Sequence, residues 1–196
     1  MSQLLLAAKE VFDWLDAQGV HGCLIGGLAV QRWGEPRLTH DVDLTVLAEI
    51  GCEARIVDIL FQRLVPRMEG ARQFALQYRV ALLRASNGVD VDVALGATSF
   101  EVESFRRATS FEFEPGYILR TCSAEDLIVY KAVAGRPQDV ADIRGIVNRQ
   151  IGRLDLKLIR KWLEVFVEVK ADPDLARPFR EALKNAETVA KRRKKS

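Results

Sequence analysis

Apolar positions between Leu4 and Gln18 recur at helical spacing (Leu5, Ala8, Val11, Phe12, Leu15), and Gly19 follows where a helix C-cap is expected. His21–Ile25 is a short apolar run suited to a strand. Leu28–Trp33 reads as a short helix that begins at Gly26-Gly27 and stops at Gly34. Glu35–His40 is a polar loop containing Pro36, and Val42–Leu47 is a buried strand. Cys52–Leu64 is helical in pattern. Phe74, Leu76, Tyr78, Val80 and Leu82 fall on every second position, which predicts a half-exposed strand over Phe74–Leu82. Ser86-Asn87-Gly88 carries Asn-Gly turn chemistry and folds that strand back onto Val89–Leu95. A helix at Phe100–Arg107 and two short strands within Ser110–Arg120 follow.

Beyond Ser123 the period changes and the pattern is helical throughout: Ala124–Ala134, Gln138–Arg149, Asp155–Val169 and Leu175–Val189. Ser123 with Asp126 forms a capped start, and Gly135–Pro137 separates the first two helices. The fold class is therefore α/β (α+β), a small mixed sheet flanked by helices with a C-terminal helical region. Residues 1–122 form the core and 123–190 a helical region packed on it. Residues 191–196 form a basic tail that reads as solvated and disordered, with a nucleic-acid contact as the alternative.

Over 196 residues, a 48% hydrophobic and 29% charged composition is that of a soluble globular chain, and a formal charge of +2 makes no strong case for nucleic acid. Cys23, Cys52 and Cys122 lack CxxC spacing, which argues against a zinc site or a disulfide framework and for a reducing compartment. No signal peptide is visible and no apolar stretch approaches a membrane span, so a cytoplasmic location without a membrane partner is expected.

The candidate chemistry lies in Asp41-Val42-Asp43, thirteen intervening residues (28–40) after Gly26-Gly27. Carboxylates at i and i+2 on a strand share a face. A glycine pair opening a helix offers bare backbone N–H groups to a phosphate, although alone it is equally a tight turn. Carboxylates on an apolar strand are costly to bury without a partner. Three partners are available: a helix N-terminus, an arginine such as Arg37, or a divalent cation. Arg37 suits a phosphate or a carboxylate equally. Mg²⁺ takes hard oxygen ligands, commonly one or two carboxylates with substrate phosphates. A third acid is expected on a neighbouring strand, where Asp90 and Asp92 share a face. Asp92 lies deeper in its apolar run and is the choice, on a strand adjacent to that of Asp43. His21 and His40 read as structural or surface residues.

Gly26-Gly27, Arg37-Leu38-Thr39-His40 and Asp41-Val42-Asp43-Leu44 resemble the signature of the DNA polymerase β-type nucleotidyltransferase superfamily, with its Gly-Gly or Gly-Ser turn, carboxylate pair and later third carboxylate. The spacing is near the long end for that signature, and Gly27 stands where a serine is usual. Asp126-Leu127-Ile128-Val129-Tyr130-Lys131, followed by Gly135-Arg136-Pro137-Gln138-Asp139-Val140-Ala141-Asp142, is similar to bacterial abortive-infection (AbiEii-type) nucleotidyltransferases. The resemblance covers about residues 20–150. It implies that Gly26 and Gly27 hold a triphosphate and that Asp41, Asp43 and Asp92 hold Mg²⁺, or Mn²⁺. It implies too that Lys131 faces the phosphates while Asp139 and Asp142 border the pocket. The simpler alternatives are a surface lysine and a solvated helix face.

The expected activity is metal-dependent transfer of a nucleoside monophosphate from an NTP to an acceptor hydroxyl, releasing pyrophosphate. A tRNA or other RNA end is the toxin-like acceptor that the resemblance implies, with an antitoxin as partner. The alternatives are a protein hydroxyl, a small molecule such as an aminoglycoside, or an inactive nucleotide-binding or interaction module.

Overall fold

The computed structural model describes residues 2–193. Its elements are α1 (Gln3–Ala17), β1 (Gly22–Leu24), α2 (Gly26–Trp33), β2 (Asp41–Leu47), α3 (Glu53–Phe61), β3 (Val65–Pro66), α4 (Ala71–Tyr78), β4 (Val80–Arg84), β5 (Asp90–Gly96), α5 (Ser99–Arg107), β6 (Thr109–Glu112), β7 (Ile118–Thr121), α6 (Ala124–Ala134), α7 (Pro137–Gln150), α8 (Leu156–Lys170) and α9 (Arg177–Arg193). They group into two compact units. One comprises the chain up to Leu28 with residues 38–122, and the other residues 29–37 with the chain from Ser123 onward.

The first unit is built on a mixed seven-stranded sheet in the order β3-β4-β5-β2-β1-β7-β6. β2 runs parallel to β5 and β1 to β7, and the other neighbours are antiparallel. Alternation along the central strands sorts their side chains. Val42, Leu44 and Val46 of β2, Val91, Val93 and Leu95 of β5, and Ala81 and Leu83 of β4 join one core with the buried stripes of α1 and α3. The intervening positions, among them Asp41, Asp43, Asp90 and Asp92, belong to the opposite face.

The expected strand over Phe74–Leu82 is corrected: its first half is the helix α4, and the strand is Val80–Arg84. Phe74, Leu76 and Tyr78 do alternate, but the stripe that decides the structure is made of small residues. Ala71 and Ala75, one helical turn apart, are buried, while the Phe74 and Tyr78 rings meet in a tilted pair with centroids 4.7 Å apart. Arg79, at φ 56°, reverses the chain between helix and strand. Its guanidinium donates to the carbonyls of Leu95 (2.8 Å) and Ala48 (2.6 Å), which holds it in that left-handed conformation.

In the second unit, Ser123 Oγ accepts the Asp126 N–H to cap α6, and Gly135 at φ 67° ends that helix. Pro137 at the first turn restarts the chain as α7. Asp155 caps α8 by accepting from Lys157 and Leu158. The segment Ala29–Arg37, placed with the core by sequence, groups with these helices instead. Gln150 donates to Trp33 O (3.0 Å), Arg149 donates to Gly34 O, and Gly34 packs on Ile146. α9 continues to Arg193, so the first three residues of the expected tail are helical; the remaining residues, 194–196, lie outside those described. Among the described residues no helix is long and apolar enough to cross a membrane.

Candidate functional site

β2 and β5 are paired in register, with Asp41 opposite Asp90, Val42 opposite Val91 and Asp43 opposite Asp92. Neighbouring strands lie about 4.8 Å apart, so the register places four carboxylates on one patch of one sheet face. The expected juxtaposition of Asp43 and Asp92 is therefore present in the backbone itself.

The glycine turn meets this patch from the side of α2. The Ile25 N–H donates to the Asp43 carbonyl (3.0 Å), which ties the start of α2 to β2. A Cβ on Gly26 would overlap the Asp43 carboxylate, and one on Gly27 would stand 2.7 Å from Thr39 Cβ. Both positions thus require glycine because of what packs on them. Thr39 is itself buried, and its hydroxyl donates to Asp41 Oδ1 at 3.0 Å. The sequence signal for this role of Thr39 is a hydroxyl two residues before Asp41, on the same side of an extended chain.

Two further residues at the patch escaped the sequence reading. Arg67 donates through Nη1 to Asp90 Oδ2 (2.6 Å) and through Nη2 to Asp92 Oδ1. Arg84 donates to Asp90 Oδ1 at 2.8 Å. Hydrogen bonding from Arg84, helped by Arg67 and opposed by slight burial, holds the Asp90 carboxyl below the usual carboxylate range. Asp90, the acid passed over in favour of Asp92, is paired with two guanidiniums. No local pattern pointed to Arg67. Tertiary pairing puts it there: Pro66 lies opposite Leu83 on the edge of the sheet, the Arg67 N–H donates to Leu82 O (3.1 Å), and Leu82 lies opposite Asp92. With Asp41 engaged by Thr39 and Asp92 by Arg67, no three His, Cys, Asp or Glu side chains among the described residues converge on a metal-sized position. The donors are nonetheless all hard carboxylate oxygens, the kind that suits a divalent cation binding with phosphate.

The second unit holds the remaining assigned residues, and they meet one another. Lys131 Nζ lies 2.8 Å from Asp139 Oδ1 and 2.9 Å from Asp142 Oδ2. Arg37 grips Asp142 with both arms, Nε at 2.7 Å and Nη2 at 2.9 Å. Asp139 Oδ2 accepts the Arg136 N–H at the start of α7, and Gln138 donates to Asp142 Oδ1. Lys131 is 8% exposed and both aspartates 4%, so neither a surface lysine nor a solvated helix face describes them. Burial pushes the Asp142 carboxyl up, but the hydrogen bonds and charges of Arg37 and Lys131 outweigh it and leave it below the usual range. The Lys131 ammonium, expected to face phosphates, is directed at these carboxylates, and Arg37 meets a carboxylate of α7. His21, by contrast, is an exposed residue paired with Asp16 (2.9 Å).

No protein-family model matches the chain, and no curated protein matches it. Among solved structures it is similar to an antigenic nucleotidyltransferase-like protein from Paracoccidioides brasiliensis, with a TM-score of 0.54 and 15% identity over 91% of this chain and 92% of that one. It is also similar to ANT(2")-Ia, solved in complex with adenylyl-2"-tobramycin, with a TM-score of 0.52 and 16% identity over 86% of this chain and 99% of that one. At these identities the likeness is one of fold, and the fold of this chain is that of nucleotidyltransferase-like proteins.

Proposed function

We propose that this chain moves a nucleoside monophosphate from an NTP to an acceptor hydroxyl and releases pyrophosphate, with Mg²⁺ or Mn²⁺ held by Asp41, Asp43 and Asp92. One observation carries the reading: the in-register pairing that sets Asp43 abreast of Asp92, with a glycine pressed against the Asp43 carboxylate at the first turn of α2. Such a patch, carboxylates beside the glycine start of a helix, complements a metal-bound triphosphate.

In the reaction the acceptor oxygen attacks the α-phosphorus and gives up its proton. The bond from that phosphorus to the α,β-bridging oxygen breaks, and pyrophosphate leaves with the electron pair. Gly26 and Gly27 let the phosphates approach the backbone closely and donate to them. Asp92, on the adjacent strand, accepts the hydroxyl proton. The divalent cation, when bound, supplies neutralisation of charge on the phosphate oxygens.

The resemblance to abortive-infection nucleotidyltransferases supports an RNA end as acceptor and an antitoxin as partner. The product complex of ANT(2")-Ia supports testing an aminoglycoside beside RNA and protein. An inactive nucleotide-binding module is the second reading, favoured by one observation: Arg67 occupies Asp92 where a metal ligand is needed. The decisive experiment is incorporation of label from each α-labelled NTP into total RNA, lysate protein and aminoglycosides, with Mg²⁺ and with EDTA. Transfer that requires the metal supports the enzyme; transfer that persists in EDTA overturns the mechanism. NTP binding without transfer to any acceptor selects the inactive module.

A further inference from the structure

Arg67 sits on Asp92 in a way that bears on how a cation would enter, an inference that rests on the proposed metal role of that acid. Its fork is divided between two carboxylates of one strand: Nη1 on Asp90 and Nη2 on Asp92. Asp90 has a second guanidinium, Arg84, on its other oxygen, so it stays paired whether or not Arg67 remains. Asp92 receives Arg67 on one oxygen, Oδ1. The third donor of the fork, Nε, is buried with no hydrogen-bond partner among the described residues. A guanidinium with one buried donor unmet is held less well than one whose whole fork is matched. Its backbone position follows the two-residue edge strand β3 and precedes Gly70, which is at φ 69°.

We propose that Arg67 is a displaceable internal counter-cation. In the metal-free chain its guanidinium neutralises Asp92, and a divalent cation must compete with it for that carboxylate. The physical reason is charge density on the patch. Four carboxylates on one patch of one sheet face repel one another, and a tethered cation relieves that repulsion until a doubly charged ion replaces it. The device keeps the empty site folded and weakens its affinity for bare metal ions, so that an ion arriving already bound to a triphosphate is favoured.

The test is Mn²⁺ binding to the full chain without nucleotide, followed by the electron paramagnetic resonance of free Mn²⁺. Arg67→Met should tighten Mn²⁺ binding about tenfold or more over the unaltered protein, as removal of one competing charge at contact distance implies. Arg84→Met removes a charge of the same sign that touches Asp90, and should produce a clearly smaller gain. Arg67→Met with Asp92→Asn should lose the gain. In EDTA the Tm of Arg67→Met should fall, and Mn²⁺ should restore it. Arg67→Lys, which keeps charge and size, provides a milder variant should the methionine protein fold poorly, and it should bind Mn²⁺ much as the unaltered chain does. Equal affinity in Arg67→Met and the unaltered protein, equal gains from Arg67→Met and Arg84→Met, or no Mn²⁺ binding in any variant would each overturn the proposal. Because none of these readouts involves transfer, a chain without transferase activity can still show the competition, and an active one can still lack it.

Discussion

Two clusters of the same residue types, aspartate with arginine or lysine, are built in opposite ways. In the helical unit, Arg37, Lys131, Asp139 and Asp142 balance two positive charges against two negative ones. The two aspartates and the lysine are buried, and the carboxylate oxygens are bridged by cations, a backbone N–H and an amide. On the sheet, four carboxylates face one side, Arg67 meets Asp90 and Asp92, Arg84 meets Asp90, and the acids are half-exposed. Burial drives the difference. A charge removed from water must be compensated within the protein, whereas a half-exposed acid keeps part of its hydration and stays available to a ligand. The buried cluster therefore reads as a brace for α6, α7 and the segment before β2, and the half-exposed one is the patch to which the proposed function assigns the ligand.

The comparison breaks most visibly at Asp43. Asp43→Asn keeps the shape and removes one charge from the open patch. Transfer activity should fall by about three orders of magnitude or more, since positioning and charge neutralisation supply most of the catalysis in phosphoryl transfer. The Tm in EDTA should be unchanged or higher, because like-charge repulsion is relieved. A steep loss of Tm would show the patch to be a structural brace like its counterpart.

Asp142→Asn is the converse. It leaves Arg37 and Lys131 short of charge in a buried place, and breaking a buried pair in this way costs roughly 3–5 kcal/mol. Urea unfolding should show that loss; a change below about 1 kcal/mol would mean that the cluster is not a brace.

Gly26→Ala tests the close approach on the sheet side. Its new methyl group must push the Asp43 carboxylate away. Overpacking of this kind costs about 1–3 kcal/mol, and transfer should drop with it. Retention of both would show that the Gly26 contact is incidental.

Acid titration sharpens the contrast further. The Asp142 carboxyl lies below its ordinary value in the folded chain. Its contribution to stability is complete above the unfolded pKa, about 3.9, and is lost as pH falls through the lower folded value. The urea midpoint should decline through that acidic window in the unaltered protein and decline less in Asp142→Asn.

The smallest effect expected is a gain. Ala171 ends α8 at φ 50°, a conformation that suits glycine, and it is exposed. Ala171→Gly should stabilise by about 0.5–1 kcal/mol, measured by the same urea titration, and calibrates the helical unit without touching either cluster.

Much of the placement of the candidate residues was legible without coordinates because its logic is local. Asp41 and Asp43 share a face by the period of a strand, and the glycines precede a helix by their place in the apolar pattern. The choice of Asp92 followed from its depth in an apolar run, and the cap at Ser123 and the break at Gly135–Pro137 from single-residue chemistry. The helix at Ala71–Tyr78 was misread because two alanines carry its buried stripe, and alanine leaves only a faint mark in a hydrophobic pattern. What only tertiary structure decided were the partners. Which acid stands abreast of which depends on the register of β2 and β5, strands separated by more than forty residues (47 to 90). That Arg67 lands on Asp92 depends on an edge strand two residues long, too short to leave a period. That Arg37 closes on Asp142 depends on residues 105 apart. Sequence spacing sets which face a side chain takes; the charge that finally meets it is set by long-range packing, which has no local period to read.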